Sequence, residues 1–110
     1  MAGSNGSTFG TGATNTPSIV VGDGATAITL LAANPARIGF SIQNVGTTVA
    51  SVRLGAGASA TVYHLAVKGG SADNDGLGGS FTDMTGTVYT GIITFFGASS
   101  CKMIAYEAST

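Results

Sequence analysis

The chain has 110 residues, a formal net charge of −1, and four Lys or Arg against five Asp or Glu. That length is one domain, with no room for a second core, and four dispersed cations are too few for the phosphate-neutralising stripe of a nucleic-acid binder or a basic membrane-surface helix. Val, Ile and Thr number 30, whereas Leu, Met, Glu, Gln, Lys and Arg together number 14, and there are 18 glycines; side chains stiff at χ1 favour pleated sheet and glycine weakens helix interiors, so the class is all-β.

Residues 1–16, MAGSNGSTFGTGATNT, hold one large apolar side chain besides Met1, that of Phe9. A segment so poor in apolar surface cannot offset its ordering entropy. It is predicted to be a flexible N-terminal arm that orders only on a surface supplied by another chain, with Phe9 and the adjacent Thr8 as its contacts. Its opening Met-Ala-Gly-Ser-Asn-Gly has neither the basic region nor the apolar run of a secretory signal, and no stretch of the chain approaches the roughly 18 apolar residues of a membrane span.

From residue 17 to residue 110 short apolar runs alternate with turn residues, the pattern of a β-sandwich or barrel domain. Strands are predicted over 18–21, 26–31, 37–44, 49–54, 60–67, 80–83, 87–96 and 101–107, and eight strands is the count of a jelly roll. Period-two alternation places Ile38, Phe40 and Ile42 toward the core and Gly39, Ser41 and Gln43 away from it. By the same rule Ala50, Val52 and Leu54 face in, opposite Ser51 and Arg53. The last strand is apolar on both faces, and Ile104 and Tyr106 are expected in the core, opposite Met103 and Ala105. Asn34-Pro35, Asn44-Val45-Gly46, Gly22-Asp23-Gly24 and Gly55-Ala56-Gly57 supply the turn conformations between strands. Residues 69–79, GGSADNDGLGG, have no apolar period and are expected to form an exposed, mobile loop.

No candidate for covalent or metal chemistry stands out. His64 is the only histidine, it sits within a strand pattern, and nothing assembles a nucleophile and orienting group around it. The five carboxylates lack a surrounding aromatic platform, and the chain has no Trp. Asp73-Asn74-Asp75-Gly76 has the oxygen-rich look of a calcium loop but lacks the bidentate Glu at its twelfth position. The glycine pairs Gly69-Gly70 and Gly78-Gly79 precede no Lys-Ser or Lys-Thr and so form no phosphate loop. Cys101 is alone, which excludes an intrachain disulfide, and reads as a buried, inert thiol. No enzyme activity, cofactor or metal is expected.

Charged residues are 8% of the chain, against about 25% in typical domains. Such a neutral surface of Ser, Thr, Asn, Gly and Ala is cheap to desolvate and suits burial against other subunits, and a core this small gains from oligomer contacts.

The segment LLAANPARIGFSIQNVGTT, residues 30–48, resembles a pattern in small virion proteins of tailed bacteriophages, the capsid decoration or cement proteins. There an apolar strand ends in Asn-Pro-x-Arg and the next closes in Gln-Asn before a Gly turn; Asn34, Pro35, Arg37, Gln43 and Asn44 match. Tyr89-Thr90-Gly91 and Ala105-Tyr106-Glu107 are similar to that group too. The resemblance implies a jelly-roll-like antiparallel sandwich, often a homotrimer, that attaches to the major capsid protein on the outside of an assembled shell and stabilises it. It implies a virion location after synthesis in the host cytoplasm, with no direct nucleic-acid or membrane contact. Similar sequences also occur in head fibres and tails, where the role would be recognition of a host surface or carbohydrate. Candidate interface residues are Thr8 and Phe9 in the arm and Arg37 and Arg53 in the strands, Arg37 being placed to bond carbonyls or a neighbouring carboxylate.

Overall fold

The computed structural model describes residues 13–110. They form nine strands: β1 (Ala13–Thr14), β2 (Val20–Val21), β3 (Ile28–Leu31), β4 (Arg37–Asn44), β5 (Ala50–Leu54), β6 (Leu65–Val67), β7 (Ser80–Asp83), β8 (Ile93–Phe96) and β9 (Lys102–Ser109). Two antiparallel sheets result. One runs β1-β9-β4-β7 with β2 also on β9, and the other runs β3-β8-β5-β6. From β2 onward every connection except β5–β6 passes from one sheet to the other, so the two antiparallel sheets make an all-β sandwich.

The inner faces meet around Phe40, Ile42, Val52, Ile93, Phe95 and Met103, all fully buried. Each such side chain contributes roughly 1.5–3 kcal/mol by leaving water. Phe40 and Phe81 stack tilted, with centroids 6.0 Å apart and planes at 46°, an arrangement that suits the ring quadrupoles.

The eight expected strands are all present, two of them cut to less than half their expected length. The run 60–67 pairs only over Leu65–Val67, because Ser59 closes a turn on the Thr61 and Val62 N–H groups and the His64 ring accepts the Leu54 N–H at 3.0 Å. The run 87–96 pairs only over Ile93–Phe96, because the Tyr89 and Gly91 carbonyls are taken by Arg37 instead of a ladder.

Three expectations are corrected. Ile38 is exposed, not in the core: a bulge sets Arg37 against Ser109 and Gly39 against Ala108, so one extra residue on β4 turns Arg37 inward and Ile38 outward. In β9 the faces are reversed, with Met103 and Ala105 buried and Tyr106 exposed. Ala105 lies opposite Ile42 and Met103 opposite Asn44, so their side chains share the inner face. Finally, the 69–79 loop is exposed but pinned. Asp75 accepts the N–H groups of Ser71, Ala72 and Leu77 at 2.8–2.9 Å, while Gly70 and Asn74 donate to the Gly46 and Val45 carbonyls, both at 2.8 Å.

Within the expected arm, Ala13 and Thr14 pair with Ser109 and Ala108 of their own chain. Residues 1–12, and with them Thr8 and Phe9, lie outside the described residues.

The turn chemistry follows the sequence reading closely. Asn34 Oδ1 accepts the Ala36 N–H and the Asn34 carbonyl accepts the Arg37 N–H, closing the turn through Pro35. Asn44 is 1% exposed; its Oδ1 accepts the Gly46 N–H and its Nδ2 donates to the Thr48 and Val67 carbonyls. Gly46 is obligatory there, since a Cβ would sit 2.3 Å from the Ser100 carbonyl oxygen.

Arg37 is 3% exposed and fixes one end of the sandwich. Its Nε donates to Glu107 at 2.8 Å, Nη1 to the Tyr89 and Gly91 carbonyls at 2.9 and 3.0 Å, and Nη2 to the Ala32 carbonyl at 2.8 Å. The guanidinium also lies 5.6 Å from the Phe40 ring centroid. Arg37→Ala leaves three carbonyls and a carboxylate unpartnered, and should destabilise the fold by about 3–5 kcal/mol in urea titration. Arg37→Lys should recover little of that, because an ammonium cannot present the planar fork. A loss under about 1 kcal/mol, the range of an exposed pair, would refute this role.

At the opposite end Asp23 closes the β2–β3 connection. The Thr26 hydroxyl, then the Thr26 and Ala25 N–H groups, hold its carboxyl down at about 2 from 3.8. A depressed folded pKa means that the contribution is complete above the unfolded value and lost as pH falls through the folded one. Wild type and Asp23→Ala should therefore differ in urea midpoint at neutral pH and converge near pH 2.

Candidate docking surface

The two outer faces of the sandwich are unlike. On the four-stranded sheet the chain folds back on itself: Thr94, 3% exposed, donates its hydroxyl to the Gly55 carbonyl at 2.7 Å and accepts the Ala58 N–H at 3.1 Å. Ala58 is buried by this closure. Arg53, opposite Thr94 in the β5–β8 ladder, is half-buried beside Gly57, whose φ of 77° lets the loop curl past the guanidinium.

The five-stranded sheet leaves its outer face open, and pairing arranges that face in rows. Thr82, Ser41 and Tyr106 lie side by side across β7, β4 and β9, and Ser80, Gln43 and Ile104 form the next row. The Thr82 hydroxyl donates to Ser41 at 3.0 Å. Beyond them Met84 fills the space over Gly39, where a Cβ would meet its Cγ at 2.9 Å. A shallow groove of about 170 Å³ runs between Pro17, Ser41, Gln43, Ile104 and Tyr106.

Neither row contains a charge. Asp83 and Glu107 stand opposite the buried Phe40 and so belong to the inner side. Lys102, farther along β9, is paired with Asp73. What remains is hydroxyl, amide, aliphatic and phenolic surface, with no charge to desolvate on contact with a second protein. Chemically, it is a surface for packing and side-chain hydrogen bonds.

The candidate residues from the sequence separate accordingly. Arg37 is spent inside the fold on three carbonyls and a carboxylate, the bonding expected of it, and its guanidinium is not offered to a partner. Arg53 sits on the other sheet. Ser41 and Gln43 point outward as expected, whereas Ile104, Tyr106 and Pro17 were missed as surface residues. The signal for β9 was faint, since both its faces are apolar and only cross-strand register tells them apart. The exposed tyrosines form no shared platform: Tyr106 is on this face, and Tyr63 lies in the β5–β6 connection of the other sheet.

The groups considered for chemistry have internal work. Both Asp75 oxygens accept backbone N–H groups, Leu77 and Ala72 foremost, and these hold its pKa below the ordinary carboxylate value. Cys101 is fully buried, and burial pushes its thiol up to about 11. Native protein should therefore leave a disulfide thiol reagent unconsumed at neutral pH and titrate one thiol once unfolded in denaturant; rapid native labelling would contradict that burial. Comparison with known proteins finds no matching family model and no similar curated protein or solved structure.

Proposed function

We propose that the protein is a structural binding module that docks the open face of its five-stranded sheet onto an assembled protein shell and stabilises it. The observation that carries this reading is the pair of uncharged rows, Thr82-Ser41-Tyr106 and Ser80-Gln43-Ile104, on the face that carries the groove beside Pro17. The composition supports it, since a chain with 8% charged residues presents few charges to desolvate. The resemblance of residues 30–48 to tailed-phage decoration proteins supplies the partner: the outer surface of a bacteriophage capsid, through its major capsid protein. Arg37, Asn34 and Asn44, three of the residues that carry the resemblance, each hold a turn or a sheet end together. The shared pattern is thus one of scaffold, while docking falls to the open face.

The test is co-sedimentation with capsids at fixed salt, comparing wild type with Gln43→Lys and Thr82→Lys. Both positions lie on the outer face, so folding should survive, as a far-ultraviolet spectrum would verify. An unpaired ammonium in a desolvated contact should weaken attachment tenfold or more, equivalent to about 1.4 kcal/mol. Wild-type binding by both variants would remove this face as the docking surface.

A further inference from the structure

β9 is an eight-residue strand with β4 along one side. Its other side is covered by residues 13–21 alone among the described residues. β1 sets Ala13 and Thr14 against Ser109 and Ala108, and β2 sets Val20 and Val21 against Met103 and Lys102. Between those short ladders Asn15 continues the pairing: its N–H donates to the Glu107 carbonyl at 3.3 Å, its Oδ1 accepts the Glu107 N–H at 2.8 Å, and its Nδ2 donates to the Ala105 carbonyl at 3.0 Å. There the ladder stops. The register advances by one residue, Pro17 has no N–H to offer, and Thr16, Pro17, Ser18 and Ile19 are exposed and hydrogen-bond to no described residue.

The ends of this strap are held differently. Beyond β2 the chain is locked into its own sandwich: Gly22 donates to the Cys101 carbonyl at 2.9 Å and is packed so tightly that a Cβ would lie 2.5 Å from the Gly97 oxygen. Residues 13–15 are bonded to the β9 edge through two paired residues and the backbone N–H and side-chain amide of Asn15. That edge cannot be left bare, because a long strand with alternate buried apolar residues and free N–H and C=O groups is a template for indiscriminate pairing. The same three residues from another copy would cover it with identical contacts, so the two arrangements differ only in the link and the association.

We propose that this strap exchanges between copies: residues 13–15 of one chain lie on the β9 edge of a neighbouring copy, in the register Ala13–Ser109 and Thr14–Ala108. The occupant of the edge is a second copy of this chain, because the complementary segment is the one the chain itself carries. Thr16–Ile19 are the link. Proline fixes its own φ and biases Thr16 to extended backbone, and the link reaches at most about 13 Å at roughly 3.3 Å per residue. Neighbouring copies therefore stand side by side along their five-stranded sheets, with the outer faces left open. The exchange is independent of the shell on which those faces dock.

The Thr14–Ala108 pair reports which chain supplies the strap. The register sets Thr14 directly opposite Ala108, and directly opposed residues of an antiparallel pair have Cα atoms about 4.5–5.5 Å apart, within disulfide range. Heavy-isotope-labelled and unlabelled Thr14→Cys/Ala108→Cys protein are mixed, unfolded, refolded together, oxidised and digested. Exchange yields disulfide-linked peptides with one heavy and one light half, as abundant as the unmixed ones, and covalently joined chains on a denaturing gel without reductant. A protein whose linked peptides are all heavy or all light, or that forms no Thr14–Ala108 disulfide, overturns the proposal.

Discussion

A single guanidinium decides where the last strand can lie. Arg37 enters the interior because a bulge at the start of β4 rotates it there, and once inside it must find partners for a charge that water no longer solvates. It finds them on the β3–β4 connection at Ala32, on the β7–β8 connection at Tyr89 and Gly91, and on β9 at Glu107. Four parts of the chain are thereby brought to one point. Among the described residues no buried side-chain nitrogen or oxygen lacks a partner, so the charge is tolerated because it is fully engaged. The β9 register set at Glu107 then carries down the strand, placing Ala105 and Met103 inward and Ile104 and Tyr106 outward.

That placement is also why the two outer faces differ. The four-stranded sheet recruits its own β5–β6 connection as a cover, with the Thr94 hydroxyl serving at once as donor to Gly55 and acceptor from Ala58. On the five-stranded sheet the long connections are drawn off to the ends instead. The 69–79 loop is tied to the β4–β5 turn through Gly70 and Asn74, and the 84–92 segment is held by Arg37. Nothing in the described chain is left to cross the Ser41 and Gln43 rows. The open face is therefore a consequence of how the loops are anchored, and its lack of charge makes that opening suited to protein contact.

Much of the fold was legible from residues 17–110 because β-branched runs and turn chemistry act locally. Asn34, Pro35, Asn44 and Gly46 do in the structure what their side chains and backbone preferences dictate. The open sheet face was half legible. Alternation assigned Ser41 and Gln43 to the outside because β4 is polar on one face only. It failed at Ile38, where one inserted residue shifts the phase, and in β9, where both faces are apolar and the choice rests on Ile42 and Asn44 across the ladder. The 69–79 loop misled for a related reason: its glycines suggested freedom, but the fixing groups are Asp75 and the carbonyls of a turn some 25 residues earlier. Contacts at that separation leave no trace in local composition. Nor does the pairing of β1, whose partner lies at the far end of the chain.

Pro17 joins the strap and the open sheet face in one element. It breaks the ladder on β9, and so separates the movable residues 13–15 from the fixed β2, and its ring forms a wall of the groove beside Ile104 and Tyr106. A residue able to pair at this position would have continued the edge as one strand along β9, with residues 13–15 held by the full ladder. With proline there the sheet instead ends in a link that is exposed, extended and weakly held. The edge is shielded from random pairing, as a long edge strand must be, yet the shield can be provided by a neighbour. Under the proposed exchange, an assembly would gain its connections at the β9 edge and keep its neutral sheet faces for the surface it covers.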